Sequence, residues 1–209
     1  MRLPVAALDS VAMSEHGLTH LDPLGRARMV DVTPKDPTHR RAVARGKVFM
    51  TSETTSLVAR GAISKGDVLA VARVAGIQAA KRTPDLIPLC HPLLVGSVFV
   101  NFRIEDTFIQ VEAQVETVDR TGVEMEALTA CSIACLTIYD MCKSADRTMV
   151  IGEVTLWEKT GGRSGTYRRD VAGANALGEV PTVNDGGSTI STGDLVDNID
   201  QLLGTDFTE

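Results

Sequence analysis

Apolar and polar residues alternate with a period of two in two adjoining stretches of the chain. Over Val98–Glu105, Val98, Val100, Phe102 and Ile104 fall on one side, with Phe99, Asn101, Arg103 and Glu105 on the other. Over Ile109–Val118, Ile109, Val111, Ala113, Val115 and Thr117 alternate with Gln110, Glu112, Gln114, Glu116 and Val118. Such alternation predicts two strands with one buried face, and Asp106-Thr107 is placed as the hairpin turn between them. The pattern then changes: from Val123 to Lys143 the period is helical, and Leu128–Cys142 is apolar nearly all round, which predicts a buried helix. A second apolar, Ala-rich helix is predicted over Asp67–Arg82, ending in cations that suit the negative end of its dipole. Shorter elements complete the reading: a strand over Lys47–Ser52, a short helix over Glu53–Arg60 capped by Ser52, and a final strand over Thr148–Lys159. Thr83–Pro92 holds three prolines and is expected to be an extended loop. Residues 1–28 are expected to be loosely ordered.

The resulting order is strand, helices, strand, strand, helix, strand. This is the split βαβ arrangement of an α+β, ferredoxin-like plait, an antiparallel sheet with helices packed on one face. The other face is left for water or a partner subunit. RNA-recognition modules share this order but need stacked aromatics and a basic face, and neither strand supplies them.

Composition and charge narrow the class. The chain has 209 residues, 44% hydrophobic and 23% charged, which fits a globular protein with one domain of ordinary size. Its net charge of −6 is unevenly spread: the seven acids from Glu179 to Glu209 face no Lys or Arg after Val171. Residues 171–209 are therefore expected to form an acidic, disordered tail, residues 1–17 a flexible extension, and residues 18–170 the folded domain. The near-neutral body offers no broad field for nucleic acid, although local cations can hold a phosphorylated small molecule. No run of about 18 apolar residues and no secretory leader is apparent, so a cytoplasmic location without membrane contact is expected. Of the four cysteines, Cys131, Cys135 and Cys142 share one helical stripe and are expected in the core; no CxxC spacing suggests a metal.

Four features carry candidate chemistry. Pro88-Leu89-Cys90-His91-Pro92 holds a proton carrier in a proline-stiffened loop. Glu124 and Glu126 open the long helix, where acids suit the positive dipole end and can also accept from a guanine-like N–H edge. Asp140 and Lys143, three residues apart, close it; on a buried helix such a pair is costly unless its members serve each other or a ligand. Lys65-Gly66-Asp67 and Gly161-Gly162-Arg163-Ser164-Gly165 are cationic, glycine-flanked turns of the kind that approach phosphates. Ordinary structural readings exist for each: a half-buried histidine, a dipole-matched helix end, a surface ion pair and plain loops. One geometric fact joins two of the features. Glu126 and Asp140 are roughly 21 Å apart along a straight helix at about 1.5 Å per residue, so one chain cannot bring both to one small substrate. If both act, the pocket lies between subunits of an oligomer with two-fold symmetry.

Taken in order, KGDVLAVARVAGIQAAKRTPDLIPLCHPL, TGVEMEALTACSIACLTIYDMCK and the GGRSG turn resemble the cyclic pyranopterin monophosphate synthase family of molybdenum cofactor biosynthesis, across roughly His20–Arg169. The resemblance implies a ferredoxin-like subunit, dimers assembled into a homohexamer, and active sites at the dimer interface. It implies a lyase that converts (8S)-3′,8-cyclo-7,8-dihydroguanosine 5′-triphosphate to cyclic pyranopterin monophosphate with release of pyrophosphate. It places catalytic roles on Asp140, Lys143 and Lys65, and substrate contacts on Leu89, Cys90, His91, Met125 and Glu126, with Glu124 adjacent. Arg163 stands where lysine is expected in many relatives, and either cation suits a phosphate contact. No resident cofactor or metal is expected, with Mg²⁺ accompanying the triphosphate as the one candidate. A non-catalytic nucleotide-binding module of the same fold is the competing reading.

Overall fold

The computed structural model describes residues 24–169. The expected extension over 1–17 and the acidic tail over 171–209 lie outside the described residues. Five strands form one antiparallel sheet: β1 (Thr38–Phe49), β2 (Ser97–Ile104), β3 (Phe108–Asp119), β4 (Val150–Thr160) and the two-residue β5 (Tyr167–Arg168). Their order across the sheet is β2-β3-β1-β4-β5. Helices α1 (Ser52–Ala59), α2 (Val68–Lys81), the single-turn α3 (Thr83–Leu86) and α4 (Glu124–Cys142) complete the α+β plait. The fold class is the one expected, with β5 added behind the GGRSG turn.

The strand register explains the core. Val98 pairs Val115, Val100 pairs Ala113 and Phe102 pairs Val111 across β2 and β3, while Ala44 pairs Ala113 and Val48 pairs Ile109 across β1 and β3. These residues share the face on which α4 lies, and Val48, Ile109, Val111, Ala130, Cys131, Cys135 and Ile138 are wholly buried. The three helical cysteines are free and buried, packing as small hydrophobes as expected. Gly46 shows how closely α4 descends. A Cβ there would meet Val154 at 3.0 Å and the Cys131 and Cys135 sulfurs at 3.1 and 3.2 Å.

Three local expectations need correction. β1 starts at Thr38, not at Lys47. Its inward positions are Ala42, Ala44 and Gly46, small because α4 crowds them, and residues so small carry little apolar signal. The cap of α1 is Thr51 rather than Ser52, its side chain accepting from the Thr54 N–H. Inside the stretch expected to be extended, α3 makes one turn. Pro84 sits in its first turn, where its missing N–H costs nothing, and buried Thr83 donates its hydroxyl to the Ala79 and Ala80 carbonyls.

Helix α4 has 19 residues and enough apolar character to cross a bilayer by length and composition, against the expectation that no segment would. Half of it is nonetheless buried within this chain, against β1, β3, β4 and α2, which is the position of a core helix. The opposite sheet face is polar and internally paired. Arg41 reaches Glu158 and Gln114, and Arg45 donates to Glu112 at 2.7 Å while lying 4.1 Å from the Trp157 ring centre.

Candidate active site

The expected site residues gather at the two ends of α4. At its C-terminal end, Asp140 is the hub of three side chains. Lys143, one turn on, places Nζ 2.7 Å from Asp140 Oδ1. Lys65, from the turn after α1, donates to Asp140 Oδ2 at 2.9 Å and to the Asp140 carbonyl at 2.7 Å. The sequence alone joined Asp140 only to Lys143; Lys65 arrives through the tertiary fold. Lys143 first and Lys65 second hold the Asp140 carboxyl down at about 2, so it stays ionised throughout the working range of pH. The desolvated lysine–aspartate pair expected from an all-round apolar helix is not what a single chain presents. The Asp140 and Lys143 side chains are both more than half exposed, because α4 runs past the edge of the core here. Lys65 and Lys143 line a cleft of about 320 Å³ with Tyr139, Ser144 and Arg147.

The N-terminal end is built differently. Val123 caps α4 without a side-chain bond, leaving Glu124 and Glu126 in the first turn. Glu126 is 3% exposed, and burial raises its carboxyl to about 7, outweighing the pull of its own backbone N–H, with Glu124 adding a smaller push. The Leu89-Cys90-His91 loop comes to this end. Cys90 is half-buried and its thiol is pushed up by burial and by the charge of Glu126. The His91 Nε2–H donates to the Val30 carbonyl at 2.7 Å, since a carbonyl can only accept. Leu89 and Met125 are each more than a third exposed beside them in sequence.

Glu124 also faces a larger cavity of about 550 Å³, which Arg163 lines. Five further cations line it: Lys35, Arg40, Arg41, Arg120 and Lys159. No local spacing unites these, because they come from distant segments. Sheet register does so, pairing Thr38 with Asp119 and Arg41 with Thr160. The cation-rich turn expected from GGRSG depends on its glycines. Gly162 has a φ of 75°, and a Cβ there would fall 1.6 Å from Arg40 Nη1, so the turn wraps directly over that guanidinium. Arg40 in turn donates to the Asp119 and Arg120 carbonyls, tying the turn to the β3–α4 connection. Lys159 donates to Ser164 and stands 3.9 Å from Glu124. Among the described residues, no three His, Cys, Asp or Glu side chains come together as a metal site.

An antiparallel α+β plait with a cationic cavity towards each end of its central helix, one beside the ionised Asp140 and one lined by Glu124, defines an enzyme-like binder of anionic small molecules. The particular family is narrower. The MoaC family model matches residues 29–162, and the chain belongs to that family. It is 63% identical over 155 residues to a Thermomicrobium roseum protein named cyclic pyranopterin monophosphate synthase, a match covering 73% of this chain and 93% of that one. Proteins of the same name from a Roseiflexus species and from Pelotomaculum thermopropionicum are 62% and 57% identical, each over 73% of this chain and over 98% and 91% of their own.

Proposed function

We propose that this chain works as a cyclic pyranopterin monophosphate synthase. It is a lyase of molybdenum cofactor biosynthesis that releases pyrophosphate from (8S)-3′,8-cyclo-7,8-dihydroguanosine 5′-triphosphate. The high identity to relatives of that name over nearly their whole length carries this reading. It also disfavours the non-catalytic nucleotide-binding alternative.

The residue roles rest on the Lys65–Asp140–Lys143 cluster. The purine-derived ring opens by addition of water and recloses as a pterin, steps that need protons moved at ring nitrogens. A sugar hydroxyl then attacks the α-phosphorus; its new P–O bond closes the cyclic phosphate as the bond to the β-phosphate oxygen breaks. Asp140 remains a carboxylate and aligns Lys143, which handles proton transfers. Lys65 and Arg163 hold phosphates, where charge develops as pyrophosphate departs. His91 and Glu126 orient the base, with Leu89, Cys90, Met125 and Glu124 around it. Mg²⁺ is expected to arrive with the triphosphate rather than on resident ligands.

The active form is proposed to be a homohexamer, a trimer of dimers whose sites each draw on two chains. Two observations support this. The two residue groups occupy opposite ends of one helix, and the outer faces of α2 and α4 leave Val74 60% and Leu136 53% exposed, apolar surface suited to a second copy. A cytoplasmic setting is proposed from the four free cysteines, which suit a reducing compartment. Incubating the purified chain with the cyclised GTP derivative should release pyrophosphate in step with product. Binding without release would favour the sensor.

A further inference from the structure

Arg147 lies just beyond α4, in the cleft it shares with Lys65 and Lys143. The charge there is unbalanced. Among the described residues Asp140 is the one carboxylate reaching the two lysines, and both of its oxygens are taken up by them. Arg147 is exposed and has no carboxylate partner among the described residues.

Its backbone, by contrast, is fastened on both sides. The preceding Asp146 is 6% exposed, and its N–H continues the helical turn by donating to the Cys142 carbonyl at 3.1 Å. Asp146 Oδ1 accepts from the Thr148 N–H at 2.8 Å and from the Thr148 hydroxyl at 2.6 Å. Asp146 Oδ2 accepts from the Thr51 N–H at 2.9 Å and from the Thr54 hydroxyl at 3.5 Å. One buried carboxylate therefore joins the end of α4, the start of β4 and the capped N-terminus of α1, the helix that leads to Lys65. A surface arginine needs no such anchorage unless its position matters. A guanidinium fixed at its base and free at its tip is suited to bidentate contact with phosphate oxygens.

We propose that Arg147 is a third cation of the phosphate-binding cleft, contacting the polyphosphate of the substrate, and that Asp146 is the positioning residue that aims it. This rests on the Lys65–Asp140–Lys143 cleft being the reactive end of the site.

The test uses the full chain and inorganic pyrophosphate as the probe, followed by substrate kinetics. Arg147→Gln should melt with the unaltered protein yet bind pyrophosphate about 10-fold more weakly, the loss expected for one charge-assisted pair. Its KM should rise by a similar factor, with kcat changed much less. Arg147→Lys should recover part of the affinity. Asp146→Asn should weaken pyrophosphate binding by roughly 3-fold, and the Asp146→Asn/Arg147→Gln double variant should bind no worse than Arg147→Gln alone, because Asp146 acts through Arg147. If Asp146→Asn does not fold, Thr148→Val, which removes one bond to Asp146, should show the same smaller and non-additive loss. Unchanged affinity in Arg147→Gln overturns the proposal, and fully additive losses overturn the role of Asp146. Lys65→Ala separates the two levels. If it too keeps full affinity, the cleft reading itself falls; if it loses affinity while Arg147→Gln does not, only the present inference falls.

Discussion

The two ends of α4 carry the same functional group in opposite electrostatic states. Asp140 is exposed, shared by two ammonium groups and held down at about 2. Glu126 is buried, near another carboxylate, and lifted to about 7. Their side chains differ by one methylene; partner and burial decide the rest. One end thus offers a permanent anion that orders cations, and the other a carboxyl able to exist in either form near neutrality. A substrate that needs both phosphate anchorage and proton transfers at a ring suits both kinds, and under the proposed two-chain site a single helix supplies them by lending its ends to different sites.

The sharpest way to break this contrast is at the paired end. Lys143→Ala should lower pyrophosphate release by about 10³-fold or more, as expected for loss of a proton-transfer group, while leaving assembly intact because the side chain is exposed. Normal turnover in that variant would remove the reactive role from this end.

The second largest effect is expected at the buried end and depends on pH. In the unfolded chain Glu126 loses its proton near its ordinary 4.5, whereas in the folded protein it keeps it until about 7. Its burial therefore makes stability decline as pH rises between those values and level off above 7. Glu126→Gln removes that decline and should stabilise the protein at pH 8 by on the order of 2 kcal/mol, with little change at pH 4. Urea midpoints at the two pH values measure this. An equal effect at both would mean that the carboxyl is not buried in its neutral form. Asp140 behaves oppositely: its ion pairs persist above about 4 and are lost as pH falls toward 2.

Smaller effects sharpen the boundaries of the comparison. Gly162→Ala forces a Cβ onto Arg40 and strains a left-handed φ, which should cost about 1 kcal/mol in thermal stability and weaken phosphate retention at the larger cavity. Glu112→Gln, on the polar sheet face away from both ends, breaks only a part-exposed pair with Arg45 and should change stability by about 0.5 kcal/mol or less, with turnover unaffected.

The fold that sets up this contrast was legible in the sequence; the contrast itself was not. The alternation in β2 and β3 and the length of α4 carry the plait by periodicity, while the choice of Glu126 and Asp140 as site residues came from their chemistry and the family resemblance, and the fourteen-residue interval only set them at opposite ends of α4. The first nine residues of β1 were not legible. Ala42, Ala44 and Gly46 are small because α4 presses on them, a cause that acts in three dimensions and leaves only a weak apolar trace. Likewise, Lys35, Arg40, Arg41, Arg120 and Lys159 converge on the Arg163 cavity only through strand register. The expectation that Asp140 and Lys143 would be buried failed for a related reason. Composition describes the whole helix, but exposure at its last turn depends on where the sheet beneath it stops.

Complementation between two defective variants bears most directly on the shared, two-chain site. Lys143→Ala and His91→Ala should each be inactive, one lacking the C-terminal group and the other the N-terminal group. Unfolded together, mixed in equal amounts and refolded, they should regain about a quarter of full activity. Random pairing makes half the dimers mixed, and each mixed dimer has one intact site of two. Activity no greater than that of either variant alone would contradict the account, and would mean that each chain completes its own site.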